Sequence, residues 1–215
     1  MADERVSVAG GENSESRLAH ASAPLPVFMQ ALLRWPRLTA FVAGGIGATG
    51  YPPLGLWPLA LLSVAVLIWL LRDAPDWKSA AMRGWLFGLC HLSVANNWIA
   101  TAFTFQAEMP VFLGWVAVPL LCLYLAIYPA LAAGLAKRFF GRGGAVSFTL
   151  AFAGLWIITE WLRSWVFTGY PWPPLGLALL GPADSQGWAA LLPFIGTYAL
   201  SGFAVLMAGG VWALF

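Results

Sequence analysis

Charge is what this sequence has least of. Asp, Glu, Lys and Arg together make up 9% of its 215 residues, where a soluble domain carries about 25%. Lysine occurs only as Lys78 and Lys137, histidine only as His20 and His91, and cysteine only as Cys90 and Cys122. Each scarcity excludes something. Two cysteines, each inside an apolar run, exclude a disulfide framework and read as small buried hydrophobes. His91 has no second histidine near it, so no metal set is expected. The glycine-rich stretch Gly44-Gly45-Ile46-Gly47 follows no strand, so it is not a phosphate loop; it allows close helix approach instead. No cofactor, metal or nucleic-acid partner is expected.

What is present is apolar surface. The chain is 60% hydrophobic, with 13 tryptophans and a mean hydropathy of +0.78. A soluble core of this size could not hide so much apolar area. A membrane β-barrel needs alternating segments of about ten residues, and the continuous apolar run 110–136 excludes it. The fold class is all-α: a polytopic membrane helix bundle of about six transmembrane helices. Residues 1–26 carry no apolar run after a basic start, so they read as a disordered cytoplasmic tail and not a signal peptide. Residues 27–215 form the transmembrane helical domain.

Charge-free stretches place the spans at 38–49, 59–71, 84–105, 111–136, 145–167 and within 188–215. The first is short unless it starts near Val27, and Arg34, Pro36 and Arg37 interrupt that upstream part. The cations then set the orientation. Arg34 and Arg37 precede span one, Arg72, Lys78 and Arg83 lie between spans two and three, and Lys137, Arg138 and Arg142 between four and five. The positive-inside rule puts these, and the N-terminus, in the cytoplasm. Loops 50–58, 106–110 and 168–187 face outward. They are aromatic, Pro- and Gly-rich, and are expected in the headgroup layer, as anchors or as a platform for lipid or another domain.

The residues 160–172, EWLRSWVFTGYPW, set an acid and a base three positions apart in an apolar run. Ionisable groups at membrane depth are costly and mark function by default. Glu160 and Arg163 share a helix face and can pair; counted from Ala145, Glu160 lies about 22 Å along its helix, in the outer third. Two readings stand: a pair bracing the bundle, or contact with a lipid headgroup through the guanidinium. Asn96 and Asn97 are expected to bond across to neighbouring helices. The candidate structural or headgroup residues are Glu160, Arg163, Trp98, Asn97, Tyr170 and Trp172. No catalytic residue is assigned. An acyl-transfer site needs a nucleophile, a base and an oxyanion stabiliser in reach. Here Cys122 and Lys137 stand about 22 Å apart, and Cys90 and Lys78 about 18 Å, along their helices.

The succession of segments from Leu38 onward resembles the N-terminal membrane part of apolipoprotein N-acyltransferase. The carrying residues are Tyr51-Pro52-Pro53-Leu54-Gly55-Leu56-Trp57-Pro58, Gly84-Trp85-Leu86-Phe87-Gly88, Asn97-Trp98-Ile99, the run 124–130 and, most specifically, 160–172. The last is similar to the family's E-W/F-L-R-G-W-x-x-T-G-F/Y-P-W pattern, with Ser164 in place of Gly. The resemblance implies a multi-pass protein of the cell inner membrane. In that family an acyl chain passes from a phospholipid to a cysteine, then to the α-amino group of an apolipoprotein's diacylglyceryl-cysteine. A Glu-Lys-Cys triad on a periplasmic nitrilase-like domain does this chemistry, and this sequence holds no position onto which the triad maps. The expectation is a truncated membrane part that is not catalytic alone, with phospholipid, apolipoprotein and a separate nitrilase-like domain as partners. The alternative is a non-enzymatic lipid-binding scaffold for another membrane enzyme.

Overall fold

The computed structural model describes residues 27–105, 110, 112–166, 169–180 and 186–214. The expected tail at 1–26 lies outside them, as do most of the loop 106–110 and Thr168. The chain divides into two units, 1–35 and 36–215. Of the first, helix α1 (Val27–Arg34) is described. The second is a helical bundle: α2 (Pro36–Ala48), α3 (Trp57–Asp73), α4 (Trp77–Ala95), α5 (Trp98–Ala102), α6 (Phe112–Leu125), α7 (Ile127–Phe140), α8 (Ala145–Trp165), α9 (Leu192–Ile195) and α10 (Thr197–Trp212). There is no strand among the described residues.

Each helix starts or stops for a local reason. Pro58 sits in the first turn of α3, where a missing N–H costs nothing. The Asp76 carboxylate caps α4 by accepting from the Ser79 N–H at 2.7 Å. The expected span 84–105 is broken at Asn96, whose Nδ2 donates to the Leu92 carbonyl of its own helix at 2.8 Å. The amide nitrogen thus closes the end of its own helix, and the side chain also lies beside Cys122 of α6. The run 112–140 bends at Ala126, because Pro129 offers no N–H to the Leu125 carbonyl. Before α10 the chain turns through Gly196, at φ +76°.

Contacts run α2–α3–α10–α8–α7–α4 and back to α2, closing a ring. Leu67, Ile68, Leu70 and Leu71 of α3 are all buried, as expected of a helix that is apolar on every side. Leu67, Ile68 and Leu71 join Phe87, Phe148, Phe152 and Trp156 in one core. Small residues set the helix spacing: a Cβ at Gly84 or Gly88 of α4 would strike Pro129 and Ala133 of α7, the close approach that small-xxx-small pairs permit.

Three helical segments, Phe112–Phe140, Ala145–Trp165 and Trp188–Trp212, are long and apolar enough to cross a membrane. The basic end of the bundle is ordered by its cations. Arg83 donates to the Leu70 carbonyl and pairs with Asp73 at 3.2 Å. Lys137 Nζ donates to the Arg72 carbonyl at 2.6 Å, and the Arg72 guanidinium lies over the Phe148 and Trp212 rings. Cations at helix C-termini satisfy orphan carbonyls and complement the helix dipole.

Candidate functional site

The far end of α8 carries Glu160 and Arg163, and the bundle encloses both: they are 3% and 4% exposed. They pair at 3.4 Å through Glu160 Oε1 and Arg163 Nη2. Their other partners decide what the pair does. Glu160 Oε1 also accepts from Trp156 Nε1 at 3.3 Å and from the Leu175 backbone N–H at 2.8 Å. Arg163 Nη2 donates to the carbonyls of Trp172 at 3.4 Å and Pro173 at 3.1 Å. Both ions therefore reach across to one stretch of backbone.

Two more side chains grip the same stretch. The Tyr51 hydroxyl lies 3.3 Å from the Pro174 carbonyl and 2.9 Å from His91 Nε2. The Gly176 N–H donates to Ser201 Oγ at 2.8 Å. His91 Nδ1 stands 3.2 Å from the Gly44 carbonyl, which as an acceptor fixes the proton on Nδ1 and leaves Nε2 an acceptor, so the single Tyr51 hydroxyl proton is shared between Nε2 and the Pro174 carbonyl. The His91 ring stacks on Phe87, 5.5 Å between centroids. Every residue from 172 to 176 thus has a backbone polar group held by a side chain from inside the bundle.

The chain after α8 was expected along the headgroup layer; in the structure it turns inward. Leu175, Gly176, Ala178 and Leu179, in the 3₁₀ turn Leu175–Leu179, are buried, and Gly176 packs so closely on Leu200 and Ser201 that no Cβ fits. Buried non-helical backbone is tolerated only where protein satisfies its polar groups, and these four side chains supply that. Glu160 Oε2 and Arg163 Nε have no hydrogen-bond partner among the described residues, so both ions keep unused bonding capacity.

The other candidates are dispersed. Trp172 is half-buried and packs on the Leu92, Val118 and Cys122 cluster, and its ring meets that of Tyr170 edge-on at 4.8 Å. Tyr170 and Trp98 are 44% and 53% exposed, and Asn97 is exposed too. Sequence reasoning singled out neither Tyr51 nor Ser201 for this site, and it left His91 unassigned. Their separations of 25 to 123 residues from their partners leave no periodic trace. Ser164, where the family pattern has Gly, accepts from the Tyr198 hydroxyl at 2.6 Å while donating to the Trp161 carbonyl.

The residues that make this clamp lie within 43–210, and that stretch matches the family model described as the apolipoprotein N-acyltransferase N-terminal domain. The chain belongs to this family. Among its relatives, the apolipoprotein N-acyltransferase of Vibrio parahaemolyticus is 33% identical over 179 residues, covering 83% of this chain and 34% of the relative. That of Azotobacter vinelandii is 37% identical over 180 residues, covering 82% and 34%. That of Vibrio cholerae is 37% identical over 150 residues, covering 70% and 29%. The chain thus spans about a third of the length of the curated relatives it matches.

Proposed function

We propose that this chain provides the membrane-embedded part of an apolipoprotein N-acyltransferase of the cell inner membrane. There it serves phospholipid-dependent N-acylation of the N-terminal diacylglyceryl-cysteine during lipoprotein maturation. One observation carries the reading: the Glu160–Arg163 pair of the family-like stretch is spent on backbone 172–175, the exit that leads to the outward face. In this proposal the pair is a positioning device, not a headgroup receptor. It holds a re-entrant loop in one shape, and the exposed Tyr170 and Trp98 rings offer the surface that meets lipid or a catalytic domain.

In this reading the chain itself does not carry out acyl transfer. Cys122 is buried beside Ser93 and Asn96, whereas Lys137 is engaged at Arg72. In this proposal the chemistry belongs to a nitrilase-like domain carrying Glu, Lys and Cys, supplied in continuation or as a separate chain. A strain depleted of its own acyltransferase tests this. Residues 1–215 alone are expected to give no growth, and the same residues with a nitrilase-like domain are expected to restore it. Growth on the chain alone would refute the assignment of chemistry elsewhere. Failure of every combination to grow or co-purify would favour a non-enzymatic lipid-binding scaffold.

A further inference from the structure

At the basic end of the bundle two cavities share the wall formed by Trp77, Arg138 and Phe139. The first, about 310 Å³, is an apolar groove between α4 and α7. Trp77 and Trp85 stand on its α4 side, Ile127, Leu131 and Leu135 on its α7 side. Gly134 and Ala81 keep its floor low, since a Cβ on Gly134 would already sit 3.1 Å from Ala81. The second, about 520 Å³, is polar, and Lys137, Arg138 and Arg142 line it with Asp76.

We propose that the two together bind an anionic phospholipid, one acyl chain lying in the groove and the phosphate seated on Arg138 and Arg142. Charge and shape both select this occupant. Three cations face one carboxylate, and that carboxylate is turned to the Ser79 N–H as the cap of α4. Lys137 is tied to the Arg72 carbonyl. Arg138 and Arg142 are exposed and make no hydrogen bond or ion pair among the described residues. Guanidinium groups take phosphate oxygens two at a time. Leu131, Leu135 and Phe139 are themselves exposed on the helix surface, so an acyl chain reaches the groove sideways from the bilayer. Basic pockets between membrane helices next to an apolar groove bind anionic lipid head groups.

This site is separate from the exit clamp: none of the residues that line it is among those that hold backbone 172–176. It falls in the cytoplasmic leaflet if the proposed orientation holds. The orientation has its own test by labelling, so the two can fail independently.

Native mass spectrometry of the detergent-purified chain, with cardiolipin, phosphatidylglycerol or phosphatidylethanolamine added, is the test. Retention of the two anionic lipids over phosphatidylethanolamine is expected. The double variant R138Q/R142Q is expected to weaken it about thirtyfold, as two interfacial cations are worth. R34Q/R37Q removes the same charge from exposed positions elsewhere and is expected to leave retention unchanged. A phosphatidylglycerol with a photoreactive acyl chain is expected to label Trp85, Leu131 or Leu135. Equal loss in both double variants, equal retention of all three lipids, or labelling outside α4 and α7 would each overturn the proposal. So would equal binding of glycerol 3-phosphate, which has no chain to fill the groove.

Discussion

Single residues at the α8 exit are engaged on several sides at once, and their substitutions are expected to differ sharply. Removing the acid in Glu160→Ala leaves the Arg163 charge buried without its counter-ion and the Leu175 N–H without an acceptor. Breaking one side of a buried pair costs about 3–5 kcal/mol. Glu160→Gln keeps an oxygen for Leu175 and Trp156, so it is expected to cost less. Thermal unfolding of both variants in the same detergent should give that order; equal midpoints for the two would remove the charge from the argument. Ser164→Gly, which restores the family's residue, deletes the Tyr198 hydroxyl's acceptor. It is expected to cost about 1 kcal/mol, measurable in the same way and distinguishable from Tyr198→Phe only by a double-mutant cycle. At the other end of the bundle, the Ser79 N–H holds the exposed Asp76 carboxyl below the usual carboxylate range. A depressed folded-state value means the cap contributes fully above the ordinary Asp range and is lost as pH falls through the lower, folded value. Asp76→Asn is expected to keep a cap but lose that acid dependence, as followed by helix signal between neutral and acid pH.

At the scale of elements, the helix contacts depend on what is missing from their faces. Gly88 meets the ring of Pro129, and a methyl there has no flexible side chain to displace. Gly88→Ala is expected to destabilise by roughly 1–3 kcal/mol, the cost of overpacking. Gly154→Ala, on α8 with nothing near its missing Cβ, is expected to be neutral or slightly stabilising, since alanine is the better helix former. Unfolding midpoints of the two variants check both statements together. The same scale explains how far the elements were legible. Charge-free runs marked α3, α8 and α10 closely, because apolar length is a one-dimensional property. They did not show that 84–105 breaks at Asn96 or that 112–140 bends at Ala126. Those interruptions come from a side-chain amide and a missing N–H, both too slight to alter hydropathy.

For the whole molecule, the cations gather at one end, where Arg72, Arg83 and Lys137 close helix ends, and the acid–base clamp lies at the other end of α8. The proposed topology puts the first end in the cytoplasm. In a background with Cys90 and Cys122 replaced by alanine, a cysteine at exposed Leu54 is expected to react with an impermeant maleimide added to spheroplasts. One at exposed Arg142 is expected to react only after lysis. The opposite pattern would invert the bundle and with it the leaflet assigned to the lipid groove.

The sequence by itself determined the all-α class, the positions of most apolar helices and the family. All three rest on composition, run length and the contiguous string 160–172. It also marked Glu160 and Arg163, because ions in an apolar run stand out without any structure. What it left open was whether the pair serves lipid or the bundle. Only the tertiary structure decided what the pair touches: Tyr51 from one turn, Ser201 from a later helix and backbone 172–176 meet around it. The reason is physical. A buried backbone segment must find donors and acceptors wherever the fold brings them, and those groups lie up to 123 residues apart in the chain.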